Sequence, residues 1–366
     1  MYDYRKKILL LLLIITLLFS LFTVYIHSTG GLSVSAKSAT LYEPTTNTFL
    51  YSKNANARLP MASTTKIMTA LVAIECSDVN KQVIVNDNAI GVEGSSIYIE
   101  KSECFTMLDL IYALMLQSAN DAAAAIAYEI AGGIDEFADL MNEKAKELGL
   151  KNTNFTNPHG LDNEMHYTTA QDLARLGAYA LSNEIFKNVV STHKKEITSS
   201  AKTRLLVNHN KLLNLYDGAI GVKTGFTKRS GRSLVGAAEK DGITLISVTI
   251  NAPDDWNDHE RMLDYGYGIL ERRNLATYEQ FCYKVPVVNS EEQYVTVKNT
   301  DELFVILKKH DNITINVVLP RYITAPLNAG DQVGYVSFCN NSTEIGRVPL
   351  RTDFDLTEIK RSLPLF

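Results

Sequence analysis

The chain has 366 residues, 46% of them apolar, with a formal net charge of −5. That length holds two domains plus a targeting segment, and the apolar fraction suits globular cores. The charge is too mild for a nucleic-acid binder or a polybasic membrane surface, and the four cysteines show no C-x-x-C metal spacing.

Arg5, Lys6 and Lys7 precede a stretch from Ile8 to Ile26 that carries no charge. Basic residues before such a run form an export signal with the positive end inside. The run is long for a cleaved signal and just long enough to span a bilayer. Residues 1–34 therefore read as a signal peptide or an N-terminal membrane anchor. Val34-Ser35-Ala36 offers small residues for cleavage, yet Ser35 to Ala39 also reads as the start of the first strand.

Lys37 to Tyr51 reads as a hairpin around a Glu43 to Thr48 turn. Ser63-Thr64-Thr65-Lys66 then opens a helix whose apolar residues Ile67, Leu71 and Ile74 recur at helical spacing. Helical periodicity over Phe105 to Leu116 ends at Ser118-Ala119-Asn120. Helices over Asp121 to Ala131 and Ile134 to Leu148 are stopped by Gly132-Gly133 and Gly149. Ile220 to Phe226, Ser233 to Ala238 and Thr244 to Ile250 read as strands, and Lys223-Thr224-Gly225 lies in the first. Asp258 to Arg272 predicts a closing helix. One sheet with helices packed on it is an α+β layer structure. After about Thr277 the pattern turns to short, turn-bounded β runs. This predicts a catalytic domain over residues 35–274 and a small all-β domain over 275–366 that serves as spacer or recognition module.

S-x-x-K, S-x-N and K-T-G are each weak signals, and Ser63 alone reads as an N-cap. In this order and context the three mark a serine acyl-transfer enzyme of the penicillin-recognising type. One helical turn brings the Lys66 amine beside the Ser63 hydroxyl. Serine needs a neighbouring base, and a lysine serves only if burial or nearby positive charge lowers its pKa. Lys223 is the candidate for that second charge. His159 and His166 bracket Asp162 and Glu164 on a loop and read as loop-shaping residues, since H-E-x-x-H spacing is missing. Cys76 with Cys104, and Cys282 with Cys339, read either as bridges within each domain or as buried free thiols.

Further stretches carry a family resemblance: Leu59 to Ser63, Gly94 to Tyr98, Ser118 to Ala123, Asn157 to Asp162, Tyr167 to Ala174, and Asp217-Gly218 leading into Gly221 to Thr227. From about Ser35 to about Glu271 the chain resembles the D-alanyl-D-alanine carboxypeptidases, low-molecular-mass penicillin-binding proteins. Asn251 to His259 resembles the sporulation-associated Gram-positive branch.

The resemblance implies a penicillin-binding-protein/β-lactamase-like transpeptidase domain, an antiparallel sheet with helices. It implies catalytic roles for Ser63, Lys66 and Ser118. Asn120, Lys223, Thr224 and Gly225 would bind substrate, with Lys223 and Thr224 on its terminal carboxylate. The backbone N–H groups of Ser63 and Phe226 would form the oxyanion hole. The substrate would be a peptidoglycan stem peptide ending in D-Ala-D-Ala, β-lactams would acylate the same serine, and the enzyme would work outside the cytoplasm without cofactor or metal. Some relatives add a carboxylate-binding arginine; here Asp254 to His259 holds none, Arg261 is the nearest, and His209 stands where other relatives carry arginine. The rival readings are a serine β-lactamase and a non-catalytic β-lactam sensor or wall-binding protein.

Overall fold

The computed structural model describes residues 31–359. The expected export segment therefore lies outside the described residues except for 31–34, as does the last part of the C-terminal domain, 360–366. β1 (Ser38–Glu43) and β2 (Thr48–Lys53) form the expected hairpin. A 3-10 turn, Ala62–Thr65, runs into α1 (Lys66–Cys76). The ribbon of β3 (Gln82–Ile84) and β4 (Cys104–Thr106) precedes α2 (Met107–Leu116), α3 (Asn120–Ala131) and α4 (Ile134–Glu147). Then come α5 (Ala170–Leu181), α6 (Glu184–Ser191), the hairpin of β5 (Lys194–Thr198) and β6 (Thr203–Val207), and the short α7 (Leu212–Leu215). β7 (Ala219–Thr227), β8 (Gly231–Lys240) and β9 (Ile243–Ile250) complete a five-stranded antiparallel sheet in the order β2-β1-β9-β8-β7. α8 (Asp255–Ile269) closes the domain.

The pleat sorts each strand between two cores. On β9, Ile246, Val248 and Ile250 join the large core with Met68, Leu71 and Leu114 of the helical layer. Ile243 and Leu245 join a smaller core with Met262 and Leu263 of α8. Beyond Leu245 that second face turns polar. Buried Ser247 and Thr249 meet His259 of α8, with Ser247 Oγ 2.7 Å from Nδ1 and Thr249 Oγ1 3.0 Å from Nε2. Gly236 makes the room, because a Cβ there would stand 2.7 Å from Nδ1. The neighbouring Asp258 holds the start of the domain: its carboxylate accepts from Ser35 N, Ser35 Oγ and Ala36 N. Val34 is buried in the same core. A cut after Ala36 would separate these donors from the domain, so Val34-Ser35-Ala36 belongs to the fold.

The closing helix starts at Asp255 and ends at Ile269, and Leu270 to Arg272 enter a strand instead. This strand, β10 (Leu270–Ala276), precedes β11 (Cys282–Val288) and β12 (Tyr294–Lys298), and it pairs with β13 (Leu303–Lys308). The ribbon serves two cores: Leu270 and Ile306 pack under α8, whereas Leu275, Ala276, Leu303 and Val305 pack in the C-terminal core. β14 (Ile313–Val318), β15 (Ile323–Thr324), β16 (Gln332–Asn340) and β17 (Thr343–Thr352) complete a six-stranded sheet, β14-β16-β17-β12-β11-β15. All four cysteines are free thiols; Cys76 and Cys282 are exposed and the other two partly so, which corrects both the bridges and the burial. Among the described residues no helix is long and apolar enough to cross a membrane.

Burial pushes the His259 pKa down to about 3, against about 6.5 in an unfolded chain. The unfolded state therefore binds a proton near pH 6.5 that the native state refuses until about pH 3. Stability must decrease as the pH is lowered through that window, by up to roughly 1.4 kcal/mol per unit. His259→Gln is expected to flatten the loss between pH 6 and 4 when urea midpoints are compared with the wild type. Parallel curves would show that His259 does not contribute to the acid sensitivity.

Candidate active site

The 3-10 turn before α1 assigns its hydroxyls differently. Thr64 Oγ1 donates to Met61 O and Thr65 Oγ1 to Ala62 O. Ser63 makes no capping bond, so the simple N-cap reading is not realised. Its Oγ lies 3.0 Å from Lys66 Nζ, one turn later.

Lys66 is completely buried. Its Nζ also contacts Asn120 Oδ1 at 2.6 Å and the carbonyl oxygen of His159. Burial holds this amine well below the ordinary lysine range, the Lys223 charge pushes the same way, and Asp121 opposes both. A neutral amine has two N–H donors and one lone pair. The two carbonyl oxygens can only accept, so they take both donors. The lone pair is left to the Ser63 hydroxyl, the arrangement a general base needs.

A loop from 152 to 169 sets the second carbonyl. Gly160 has φ +88° and packs so closely that a Cβ would lie 2.0 Å from Ala62 O. Thr69 Oγ1 donates to Pro158 O at 2.6 Å. His166 ties the loop to the turn that carries Ser63. Its Nδ1 accepts from Thr156 N at 3.0 Å, which leaves Nε2 to donate to Thr65 Oγ1 at 2.7 Å. Burial, aided by Lys66, pushes His166 down to about 4 and His159 to about 3. Both are therefore neutral struts. Among the described residues no His, Cys, Asp and Glu side chains group as a metal site.

Ser118 stands between α2 and α3 at φ +59°, a conformation that costs an ordinary residue on the order of 1–3 kcal/mol. It lines the cavity, but among the described residues no hydrogen bond joins its Oγ to Lys66. Asn120 is fully engaged inside, with Oδ1 on Lys66 and Nδ2 donating to Glu93 O. Here it orients Lys66 rather than facing the cavity. Asp121 accepts from Ser96 Oγ, Ile97 N and Ile99 N, fixing the segment that brings Ser95 to the cavity wall.

β7 is the edge strand on the other side. A Cβ on Gly225 would stand 3.1 Å from Ser63 N, a tight approach, so glycine lets the strand lie against the Ser63 turn without displacing it. Ser63, Ser95, Ser118, Thr224, Gly225 and Phe226 line one cavity of about 480 Å³. Lys223 is 1% exposed, donates to Thr224 O at 2.9 Å, and is pushed by burial down to about 7. It stands behind the wall, suited to tuning Lys66 and poorly placed as a free cation for substrate. Arg261 is spent on Asp258 and Asp254 and does not line the cavity. His209 does line it, with its pKa lowered by burial and then by Lys223. Sequence reasoning missed Arg232, Asp255 and Trp256, which form the far wall. The available signal was the turn after Thr227, which folds Arg232 back to lie opposite Phe226.

The family profile described as D-alanyl-D-alanine carboxypeptidase matches residues 25–254, and that described as penicillin-binding protein 5, C-terminal domain, matches 271–358. The D-alanyl-D-alanine carboxypeptidase DacF of Bacillus subtilis is 32% identical over 340 residues, 90% of this chain and 87% of that protein. DacC of Escherichia coli is 31% identical over 340 residues, 87% of this chain and 83% of the relative. Among solved structures, penicillin-binding protein 5 from Haemophilus influenzae superposes with a TM-score of 0.66 at 26% identity, covering 89% of this chain and 98% of that one. DacD from Francisella tularensis gives 0.66 at 25% identity, covering 90% and 95%.

Removing a neighbouring cation raises an amine's pKa. Lys223→Met is therefore expected to move the acidic limb of the pH–rate profile for acylation by a labelled penicillin to higher pH. A limb that stays in place would show that Lys223 does not tune Lys66.

Proposed function

The chain belongs to the D-alanyl-D-alanine carboxypeptidase family, and on that premise we propose that Ser63 is its nucleophile and Lys66 its base. The protein is a serine-type D-Ala-D-Ala carboxypeptidase of the penicillin-binding type. It acts on peptidoglycan peptides ending in D-Ala-D-Ala and binds β-lactams. The observation that carries the residue assignment is the buried Lys66 Nζ in contact with Ser63 Oγ, Asn120 Oδ1 and His159 O, since in the neutral amine the two carbonyl oxygens take the N–H groups and leave the lone pair to Ser63.

Ser63 Oγ attacks the carbonyl carbon of the penultimate D-alanine as its proton passes to Lys66 Nζ. The backbone N–H groups of Ser63 and Phe226 receive the oxyanion. Collapse breaks the peptide bond, and the departing D-alanine amine takes a proton, with Ser118 as the relay from Lys66. Lys66 then activates the water that hydrolyses the ester and frees Ser63. A β-lactam follows the first half and leaves its opened ring on Ser63. Asn120 holds Lys66, and Thr224 and Gly225 receive the C-terminal D-alanine along the β7 edge. In this reading residues 1–34 export the protein and tether or release it at the outer membrane face, 35–274 form the catalytic unit, and 275–366 set its distance from the wall.

The carboxypeptidase reading is favoured over a β-lactamase by the 157–172 segment. None of its carboxylates, Asp162, Glu164 or Asp172, lines the cavity. Asp162 instead accepts from Thr227 Oγ1, and Asp172 from Asn152 N and Thr153 Oγ1.

Ser63→Ala is expected to lower D-alanine release from a D-Ala-D-Ala pentapeptide by a factor on the order of 10⁴ and to abolish labelling by a fluorescent penicillin, with an unchanged melting temperature. Labelling retained at another residue would refute the assignment. Lys66→Arg keeps a long basic side chain but is never deprotonated and cannot supply a lone pair, so it is expected to fail in both assays. Near wild-type turnover would reduce Lys66 to an electrostatic role.

A further inference from the structure

We propose that Arg232 is the residue that reads the free carboxylate at the C-terminus of the substrate. The inference rests on the carboxypeptidase reading of the cavity and assigns a specificity residue that the three motifs do not contain.

Arg232 sits directly across from Phe226 in the β7–β8 pair. Residues directly opposite share a face of the sheet, and so do residues two apart on one strand. Arg232, Phe226 and Thr224 therefore stand on one face, and all three line the cavity that holds Ser63. The guanidinium is held from behind. Nε donates to Asp255 Oδ1 at 3.0 Å and Nη2 to Asp255 Oδ2 at 3.0 Å. Asp255 is 3% exposed, and its Oδ1 also accepts from Trp256 N. The Trp256 ring lies 5.7 Å from the guanidinium carbon. This fork consumes one edge of the arginine. Among the described residues Nη1 makes no hydrogen bond, so its two N–H groups are free for an acceptor in the cavity.

The other cations are worse placed. Lys223 is buried, bonded to a backbone carbonyl and easily neutralised. Arg261 is paired with Asp258 and Asp254. His209 lines the cavity as an exposed ring whose pKa is lowered by partial desolvation and by Lys223, and it lacks the permanent charge of a guanidinium. Lys211 lines the cavity but is exposed, and among the described residues no side-chain bond fixes it. Arg232 alone combines a permanent charge, a planar donor set and a pre-set orientation. A terminal carboxylate lying between Thr224 Oγ1 and Arg232 Nη1 would take a hydroxyl bond from one and a charge-assisted bond from the other. Asp255 is then a positioning residue, since it touches only Arg232 and its own helix start.

The test compares an acyl-D-Ala-D-Ala peptide with its C-terminal amide. Wild type, Arg232→Lys, Arg232→Gln and Lys211→Met are assayed on both for kcat/KM. The ratio of acid to amide is expected to fall about 10- to 100-fold in both Arg232 variants, the loss of one charge-assisted bond, and far less in Lys211→Met. Gln leaves the buried Asp255 without its cation, so melting temperatures are recorded and the Lys variant, which keeps that pair, carries the decision. A second arm places Arg232→Lys in a Ser63→Ala background and measures the Kd of both peptides by calorimetry. Loss of the acid's binding advantage is expected there too. An unchanged ratio in Arg232→Lys, or a fall confined to Lys211→Met, would overturn the inference. A wild type that releases no D-alanine would instead count against the catalytic reading, while the binding arm still decides the role of Arg232.

Discussion

One buried amine organises this molecule. Lys66 has no exposed surface, and an ammonium group there would face a large desolvation cost. The protein meets that constraint by holding the amine's pKa well below the ordinary lysine range and giving it two carbonyl acceptors, Asn120 Oδ1 and His159 O. Each acceptor comes from a distant part of the chain, so the site exists only when α1, the start of α3 and the 152–169 loop are packed together. The second lysine, Lys223, sharpens the effect, because two like charges in one dry region oppose each other.

Much of the remaining architecture positions these acceptors. Gly160 brings the loop backbone against Ala62, and His166 ties the same loop to Thr65. Asn120 is fixed through Glu93 O and through its own N–H on Ser95 O at 2.7 Å. Gly225 lets β7 close the cavity from the opposite side. Polar residues are buried throughout this region, and each of these bonds offsets the cost of removing them from water. The second face of the sheet solves an analogous problem with His259 between Ser247 and Thr249.

Local patterns were read well where they are strong. β14 falls on Ile313–Val318 as expected, and α3, α4, β8 and β9 differ from expectation by a few residues at their ends. α5, α6 and the β5–β6 hairpin were not marked. α5 opens on Thr169, whose side chain caps Asp172 N, and this start lies inside the Tyr167 to Ala174 stretch that also carries the family resemblance. Leu270 to Arg272 continued the helical pattern of α8 and nevertheless became strand, because β13 offers them a pairing partner from more than thirty residues away. The ribbon they form packs in both cores, so the chain passes from one to the other through shared structure rather than through an open linker.

The order of residues was enough to read the class of reaction and the glycine-bearing strand, and it singles out Ser63 and Lys66 as the pair proposed for nucleophile and base. Those motifs are contiguous, and the i to i+3 spacing of Ser63 and Lys66 puts them together in any helical turn. Tertiary structure decided the rest. It placed Lys223 behind the wall, turned Asn120 inward, removed Arg261 to an ion pair with Asp258, and brought Arg232 to the cavity opposite Phe226. The physical reason is that burial and pairing belong to contacts between segments far apart in the chain. Which cation remains free to meet a substrate is settled only when every competing carboxylate and carbonyl has taken its partner.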